Sequence, residues 1–215
     1  MNPALPPPPA LAGTPLLIVI SAPSGGGKTT VCQQLLARHP EMTRAVTCTT
    51  RPPRDGEVNG RDYHFIDSGE FSRRVQAGSF LEHARVFDQS YGTPKSEVLD
   101  KLRQGRDVLL NIDVQGAATV CARAAADADL GHALVTVFLT PPTLRELEER
   151  LRRRGADGPE QLRKRLGVAR QETGQWTKFQ YLILSTTIAE DLRRMEAIID
   201  AERMRAGRSK FAISD

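Results

Sequence analysis

Cysteine and aromatic residues are scarce in this sequence of 215 residues, which has three cysteines and 5% aromatic residues. Cys32, Cys48 and Cys121 are widely spaced and form neither a C-x-x-C pair nor a zinc-ligand pattern, so we expect free thiols in the reducing cytoplasm. No apolar run approaches the roughly 20 residues that cross a bilayer, and we see no secretory signal pattern. We therefore expect neither a disulfide-stapled secreted domain nor a membrane partner.

A large excess of charge of one sign is also absent. The 30 Lys and Arg residues nearly balance the 26 Asp and Glu residues, which gives a formal net charge of +4 and a pI of about 9.2. The basic residues are not interleaved with aromatic ones, so we expect no nucleic-acid partner. A hydrophobic fraction of 40% can form a core, and the length is typical of one compact domain, for which ~100–200 residues are usual.

Proline is concentrated at the start, where six of the fourteen prolines fall within the first fifteen residues. This segment has no hydrophobic periodicity. We predict a disordered, polyproline-like tail over residues 1–14. A spacer or an artefact of the assigned start site is favoured over a proline-rich ligand for another protein.

Beyond the tail, short β-branched runs alternate with helical patterns. The predicted strands are 16–21, 108–112, 133–139 and 181–184. The predicted helices are 29–38, 94–104, 115–126, 144–153, 160–173 and 188–204. Continuous apolar strands separated by helices predict an α/β fold, with a parallel sheet that is covered by helices on both faces.

Two stretches interrupt this alternation and predict a division into subdomains. Residues 47–93 are predicted to form a small β-rich insert, with a strand over 63–66, a short helix after the capping box Asp67-x-x-Glu70 and an extended run over 80–87. Residues 143–166 are predicted to form a helical lid. The remaining segments, 15–46, 94–142 and 167–215, form the predicted core.

The lid and the end of the insert carry further local signals. Residues 145–165 contain eight basic and five acidic residues, so they have little to bury, and we expect an exposed, mobile helical excursion. Thr143-x-x-Glu146 reads as a second capping box. Thr93-Pro94 reads as a hydroxyl N-cap followed by a proline at the first helical position.

A glycine-rich turn follows the first strand and leads into a helix. Strand, glycine-rich turn, Lys-Thr and helix is the context of a P-loop, in which backbone N–H groups and the helix N-terminus bind phosphate. We call Ala22–Thr29 the cradle. Lys28 is predicted to neutralise the β- and γ-phosphates of a nucleoside triphosphate, and Thr29 to offer its hydroxyl to Mg²⁺. The predicted triphosphate-binding residues are Ala22, Pro23, Ser24, Gly25, Gly26, Gly27, Lys28, Thr29 and Thr30. Ala22 stands where the P-loop pattern has its first glycine.

Arginine pairs favour a small kinase among P-loop proteins. The guanine-reading N-K-x-D motif of GTPases is absent from the sequence. Arg51 and Arg54 flank two prolines, which fix their separation and suit a clamp on a phosphate monoester. Arg150 and Arg154 lie four apart on one predicted helix face, and Arg165 follows on the next helix. A merely solvated charged helix is the alternative for the lid.

Six segments together resemble the bacterial guanylate kinases, which transfer the γ-phosphate of ATP to GMP in purine nucleotide metabolism. They are S-A-P-S-G-G-G-K-T-T at 21–30, T-T-R-P-P-R-D-G-E-V-N-G-R-D-Y-H-F at 49–65, F-L-E-H-A at 80–84, Y-G-T at 91–93, N-I-D-V-Q-G at 111–116 and R-L-x-x-R-G at 150–155. The resemblance covers residues 15 to 205 approximately. It implies an ATP:GMP phosphotransferase that uses Mg²⁺ with ATP.

The resemblance also implies roles for individual residues. Arg51, Arg54, Tyr63 and Tyr91 would hold the GMP phosphate; Glu82 and Asp113 would accept from guanine; Thr47 would face O6; and Gly92 and Thr93 would lie along the base edge. The implied catalytic residues are Lys28, Arg51, Arg150, Arg154 and Arg165. Alternatives remain for several of them: both tyrosines as core aromatics, Glu82 as an outward strand residue and Thr93 as an N-cap only.

The sequence departs from the family pattern at three places. Asn111 replaces the first acid of a D-I-D segment, Thr47 replaces Ser, and Ser185-Thr186-Thr187 replaces an N-D-D-like run on the adenine side. We expect Asn111 to weaken or rearrange contacts around Mg²⁺ without abolishing activity.

Two other functions stay open at this point. One is a kinase for a sugar phosphate such as ribose 1,5-bisphosphate, and the other is a non-catalytic scaffold domain that binds protein ligands. The sequence leaves the oligomeric state and the preference between GMP and dGMP undecided.

Overall fold

The computed structural model describes residues 13–86, 88–153 and 158–208. The predicted tail up to residue 12 and Arg154 of the predicted lid lie outside these ranges. The described strands are β1 (Leu17–Ser21), β2 (Thr43–Arg44), β3 (Cys48–Thr49), β4 (His64–Phe65), β5 (Phe80–Val86), β6 (Gln89–Pro94), β7 (Val108–Asn111), β8 (Leu134–Thr140) and β9 (Tyr181–Leu184). The described α-helices are α1 (Lys28–Arg38), α2 (Ser68–Gln76), α3 (Lys95–Arg103), α4 (Val114–Ala126), α5 (Ala128–Ala133), α6 (Leu144–Arg153), α7 (Pro159–Thr173) and α8 (Ile188–Arg203).

The larger sheet has the strand order β2-β7-β1-β8-β9, and all of its pairs are parallel. β1 lies between β7 and β8, with Leu17 opposite Val108 on one side and Leu134 on the other. After β1 the chain crosses to β2 at one edge of the sheet and returns to β7 beside β1. It then passes to β8 and β9 on the other side of β1. Such a reversal of strand order opens a crevice at the carboxyl ends of the strands, where α/β proteins bind ligands.

Both faces of this sheet are covered, as predicted. Side chains alternate along a strand, so Ile18 and Ile20 of β1 pack with α1 and α8 on one face. Leu17 and Val19 pack with α3 and α4 on the other face. The prediction of an α/β fold with helices on both faces is confirmed. No helix among the described residues combines the length and the apolar character that a membrane crossing needs.

The insert contains a second sheet, with the order β4-β3-β6-β5. β3 pairs parallel with β4 and antiparallel with β6, and β5 pairs antiparallel with β6. The predicted strand over 63–66 is a two-residue strand, and the extended run forms β5 up to Val86. Asp67 caps α2 as predicted, because its side chain accepts from the Glu70 backbone N–H at 2.8 Å. The boundaries of core, insert and lid remain predictions.

Thr93 is not a helix cap, and this part of the prediction is wrong. α3 begins at Lys95, after Pro94 rather than at it, and the structure gives α3 no side-chain cap. The Thr93 hydroxyl instead donates to the Glu82 carboxylate at 2.5 Å. A buried acid eleven residues away in the chain thus takes the hydroxyl that the local pattern assigned to the helix.

Helix α6 buries more than its charge suggested. Leu147 and Leu151, four residues apart, are each 1% exposed. A side chain at Gly25 in the cradle would meet Leu151 at 2.9 Å and Leu147 at 3.4 Å. The expectation of a helix with little to bury is therefore wrong, because an apolar stripe fixes α6 against the cradle. Its predicted capping box is present in part, since Glu146 N donates to Thr143 Oγ1 at 3.2 Å.

The two ends of the described chain meet beside β8. Thr14 N donates to the Arg208 carbonyl at 3.1 Å. The Arg208 guanidinium is buried and donates to the Leu134 carbonyl at 2.9 Å, and it pairs with Glu202 at 2.7 Å. Leu134 begins β8, so this junction lies at the amino ends of the parallel strands.

Candidate active site

The cradle connects the buried end of β1 to the first residue of α1. Gly25 and Gly27 have φ angles of 88° and 95°, in the left-handed region that favours glycine. Gly26 N donates to the Pro23 carbonyl at 2.9 Å, which closes the turn. A side chain at Gly26 would meet the Ala22 methyl at 2.9 Å, so Ala22 fills the space beneath the turn. Ala22 at the first position of the motif is thus compatible with a tight cradle.

Lys28 reaches along the edge of the sheet towards β7. Its Nζ donates to the Ile112 carbonyl at 3.0 Å. Burial lowers the pKa of Lys28, and the nearby Asp113 carboxylate opposes that shift. The ammonium group is thus held between the cradle and the end of β7.

Asp113 follows β7 and caps α4. Its Oδ1 accepts from Gly116 N at 2.9 Å, and its Oδ2 accepts from Gln115 Nε2 at 3.2 Å. These contacts hold the carboxylate at the edge of the crevice.

A cavity of about 390 Å³ surrounds the cradle. It is lined by Ala22, Pro23, Ser24, Gly25, Gly26, Gly27, Lys28, Thr29, Arg85, Val86, Asp113, Gln115, Val168 and Glu172. Successive backbone N–H groups of such a turn and the N-terminal end of α1 make this cavity suited to anionic phosphate.

A second cavity, of about 240 Å³, lies between the cradle and the insert. It is lined by Lys28, Thr29, Thr47, Tyr63, Glu82, Ala84, Val86, Tyr91, Asn111, Ile112 and Asp113. Lys28, Thr29, Val86 and Asp113 line both cavities. The two spaces therefore share a wall that carries one amine, one hydroxyl and one carboxylate.

Glu82 is the buried acid of the second cavity, only 2% exposed. Its Oε1 accepts from Thr93 N at 3.0 Å and from Thr93 Oγ1 at 2.5 Å. Burial raises the pKa of Glu82 to about 7, and the negative charge of Asp113 adds to the increase. The alternative in which Glu82 points outward from the strand is wrong.

Gly116 lies directly against this acid. A side chain at position 116 would place its Cβ 2.7 Å from Glu82 Oε2, and 3.3 Å from both Glu82 Cδ and Ile112 Cβ. Thr93 therefore holds one oxygen of Glu82, and the absence of a side chain at position 116 leaves room for the other.

A basic and aromatic cluster stands at the insert side of the second cavity. The Arg51 guanidinium lies 5.5 Å from the centre of the Tyr63 ring, and the Tyr63 and Tyr91 rings are 6.1 Å apart. Arg51 Nη2 donates to both oxygens of Glu57, at 2.8 and 2.9 Å. The Arg44 guanidinium also lies near this ring, 5.6 Å from the centre of Tyr63.

A family model described as guanylate kinase matches residues 14–202. This chain belongs to the guanylate kinase family. A guanylate kinase of Paramagnetospirillum magneticum is 44% identical over 181 residues, which are 84% of this chain and 82% of the relative. One of Maricaulis maris is 42% identical over 178 residues, which are 83% and 79% of the two chains.

A solved structure gives the same assignment. The crystal structure of guanylate kinase from Anaplasma phagocytophilum matches with a TM-score of 0.74 at 32% identity, and the match covers 94% of this chain and 93% of that one. The predicted family and the predicted P-loop kinase fold are confirmed.

Most residues that the family resemblance nominated lie around the two cavities. Lys28, Thr29, Thr47, Tyr63, Glu82, Tyr91 and Asp113 line the second one. Thr93 supports Glu82 from behind, and Gly92 lies under the Phe80 ring, which a side chain at 92 would meet at 3.0 Å.

Other nominated residues lie apart from these cavities. The Arg54 side chain is exposed, and Arg54 contributes its backbone N–H to Glu57 at 2.8 Å. Arg165 is partly buried in α7 and lines none of the cavities named here. Arg154 is outside the described residues.

A third cavity, of about 440 Å³, adjoins Gly25, Gly27 and Thr30. Its other lining residues are Val31, Arg150, Arg153, Ser185, Thr186, Ile188 and Asp191. The side chain of Arg150 lies beside the cradle, because its Nη1 is 3.7 Å from the place where a Cβ of Gly27 would stand.

Sequence reasoning missed two acids that shape the site. Glu57 holds Arg51, as described above. Glu172 of α7 accepts from Ser24 N at 3.1 Å, and burial raises its pKa. Glu57 could have been found only from its nearness to the arginine pair, whereas no local pattern in the sequence marks Glu172.

Proposed function

We propose that the first and second cavities hold the triphosphate of ATP and GMP respectively, so that the two reacting phosphates meet at the wall formed by Lys28, Thr29 and Asp113. Membership in the guanylate kinase family makes the chain an ATP:GMP phosphotransferase. The residues that line both cavities are the observation that carries the proposal, because they show that the two spaces adjoin. In-line transfer needs the donor and acceptor phosphates to face each other directly. GMP is the acceptor, and GDP and ADP are the products.

On the donor side, cradle N–H groups and the N-terminus of α1 bind the phosphates of ATP. Lys28 moves from the Ile112 carbonyl, 3.0 Å away, to the β- and γ-phosphates. Burial lowers the pKa of Lys28, and phosphate oxygens in contact with the amine raise that pKa. Arg150, next to Gly27, adds a second positive charge, and Arg154 and Arg165 are proposed to join it.

On the acceptor side, the Glu82 carboxylate accepts from the guanine N1–H and 2-amino groups, together with Asp113. Adenine presents an acceptor at N1, so the same carboxylate repels it. A site built on such hydrogen bonds can discriminate by ~10⁴-fold, because the wrong base leaves buried groups unpaired. Thr47 lines the same cavity and faces guanine O6.

The phosphate of GMP binds beside the two tyrosines. Arg51 is already aligned there by Glu57 and stacked on Tyr63. The hydroxyls of Tyr63 and Tyr91 supply further donors, and Arg54 extends towards the same phosphate. Positioning and charge neutralisation account for catalysis, since phosphoryl transfer asks for little covalent chemistry from the protein.

Magnesium fits this site as a companion of ATP. Thr29 lines both cavities, and its hydroxyl offers an oxygen ligand. Among the residues that the structure describes, no group of three or more His, Cys, Asp or Glu side chains is arranged to hold a metal. This donor set suits Mg²⁺, which usually keeps several waters and binds through substrate phosphates and few protein oxygens. When bound, Mg²⁺ neutralises charge on the phosphate oxygens.

The test is an ADP-release assay with ATP and Mg²⁺ in which GMP, dGMP, AMP, IMP and ribose 1,5-bisphosphate are compared. We expect turnover with GMP and dGMP and little with AMP. Lys28→Ala should lower kcat by roughly 100-fold or more, as loss of a charge-stabilising group does. Lys178→Ala is the matched control, because Lys178 is exposed and lines neither nucleotide cavity.

Two results would contradict the proposal. Turnover with the sugar phosphate alone would move the chain to another kinase class, and binding of GMP without turnover would favour the scaffold role. The cytoplasmic location, the absence of a nucleic-acid partner and the residue roles stay predictions until tested.

A further inference from the structure

Arg150 is held by a serine that is itself held by a buried acid. Arg150 Nη1 donates to Ser185 Oγ at 3.0 Å, and Nη2 donates to the Ser185 carbonyl at 3.3 Å. Ser185 Oγ donates in turn to Asp191 Oδ2 at 2.7 Å. A guanidinium can only donate and a carboxylate can only accept, so the direction of this chain of hydrogen bonds is fixed.

Asp191, the acid that accepts the last of these hydrogen bonds, is costly to bury. Asp191 and Ser185 are 3% and 2% exposed. A buried carboxylate persists only when hydrogen bonds or opposite charges compensate it. Asp191 receives compensation from Ser185 Oγ, from Thr186 N at 3.2 Å and, through the serine, from the charge of Arg150.

The role of Asp191 is not that of a helix cap. Thr187 already caps α8, since its hydroxyl accepts from Glu190 N at 3.3 Å. Glu190, the neighbouring acid in the same turn, forms ion pairs with Arg193 and Arg194 on the surface. Asp191 instead points into the third cavity, which Arg150 and Ser185 also line.

Three separate elements contribute to the hydrogen bonds between Arg150, Ser185 and Asp191: α6, the end of β9 and the first turn of α8. Their meeting point fixes the long, flexible side chain of Arg150, whose immobilisation on nucleotide binding would otherwise cost rotamer entropy. The guanidinium is thereby kept beside Gly27 before nucleotide binds. A charge that is placed in advance stabilises a transition state without reorganisation at the moment of reaction.

We propose that Ser185 and Asp191 are positioning residues that hold the Arg150 guanidinium against the cradle for phosphoryl transfer. The proposal rests on the proposed function and adds two residues to it, of which Ser185 lies in the segment where this sequence departs from the family pattern. The side chains at 185 and 191 act through Arg150 rather than on the nucleotide.

The test is a double-mutant cycle on kcat and on the KM values for ATP and GMP. We expect Ser185→Ala and Asp191→Asn each to lower kcat/KM for ATP by about tenfold and to leave the KM for GMP within about twofold. In an Arg150→Ala background, Ser185→Ala should change kcat/KM by less than about twofold, because residues of one network are not additive. Glu190→Gln is the matched control, and we expect wild-type kinetics from it.

Several outcomes would overturn the proposal. An equal loss from Ser185→Ala with and without Arg150 would mean that Ser185 acts on the nucleotide or on the fold, and wild-type kinetics for Ser185→Ala would remove the role altogether. Should Asp191→Asn fail to fold, which its melting temperature would reveal, the Ser185→Ala cycle still decides. A wild-type protein without GMP kinase activity would instead refute the proposed function, so the two failures are distinguishable.

Discussion

Substitution of Gly116 by alanine should damage guanine selection through a residue that the nucleotide need not touch. The added methyl would stand 2.7 Å from Glu82 Oε2. Ordinary contacts between such atoms are nearer to 3.5 Å, so the carboxylate must move by roughly 0.5 Å or more. Ile112 Cβ, 3.3 Å from the same methyl, restricts movement of the helix in the other direction.

The size of the effect follows from the two hydrogen bonds that fix Glu82. A shift of the carboxylate stretches the contacts from Thr93 N and Thr93 Oγ1, now 3.0 and 2.5 Å. Hydrogen bonds to a charged group contribute ~1.5–3 kcal/mol each. If the displaced carboxylate loses the free energy of one such hydrogen bond to guanine, kcat/KM for GMP falls by about ten- to a hundredfold.

Stability should change less than activity. Overpacking costs ~1–3 kcal/mol, whereas alanine is favoured over glycine inside a helix by about 1 kcal/mol. We therefore expect a free energy of unfolding lower by ~2 kcal/mol at most, and a folded variant that can be assayed.

The assay compares kcat/KM for GMP and for IMP, which lacks the 2-amino group. We expect Gly116→Ala to reduce the GMP:IMP preference and to leave the KM for ATP unchanged. Gly167→Ala is the matched control, because Gly167 also lies in a helix and a side chain there meets no atom within 4 Å. A folded Gly116→Ala protein with wild-type GMP kinetics and preference would refute the reasoning.

Three further predictions concern single charges. The pKa of Glu82, raised by burial to about 7, requires the KM for GMP to fall as pH rises through 7. The pKa of Glu82 in the folded protein exceeds the ordinary value of 4.5, so Glu82 lowers the free energy of unfolding as pH rises from 4.5 to about 7. Glu82→Gln should therefore weaken the pH dependence of the melting temperature over this range. Glu57→Gln should raise the KM for GMP about threefold or more with an unchanged KM for ATP, because Arg51 Nη2 loses one of its two acceptor oxygens and the opposite charge beside it; an unchanged KM for GMP would contradict this. Asn111→Asp places an acid in the second cavity and should lower the Mg²⁺ concentration for half-maximal rate; a higher requirement would contradict it.

The core and the cradle could be predicted because their signals are local and long enough. Each main strand is a continuous apolar run, and the glycines of the cradle occupy the positions whose positive φ angles or close contacts require them. The two-residue strands β2 and β3 could not be predicted, since two residues show no periodicity, and β4 was predicted only as a longer strand over 63–66. They exist because neighbouring strands pair with them.

Misassigned side chains share one physical cause, which is a long-range partner that outcompetes a local one. The Thr93 hydroxyl donates to Glu82 rather than capping the helix that comes after it. Leu147 and Leu151 have the right spacing for a buried stripe, yet the surrounding charges hid it until the contact with Gly25 was known. Asp191 and Glu172 contact residues from other elements, and no local pattern marks them.

The junction between Thr14 and Arg208 makes the chain suited to circular permutation. The two residues are joined at the amino ends of the strands, whereas the cradle lies at the carboxyl ends of the same strands. A short linker between them would therefore close the chain far from both nucleotide cavities. New termini could then be opened in an exposed surface turn, such as the one at Gly78 between α2 and β5.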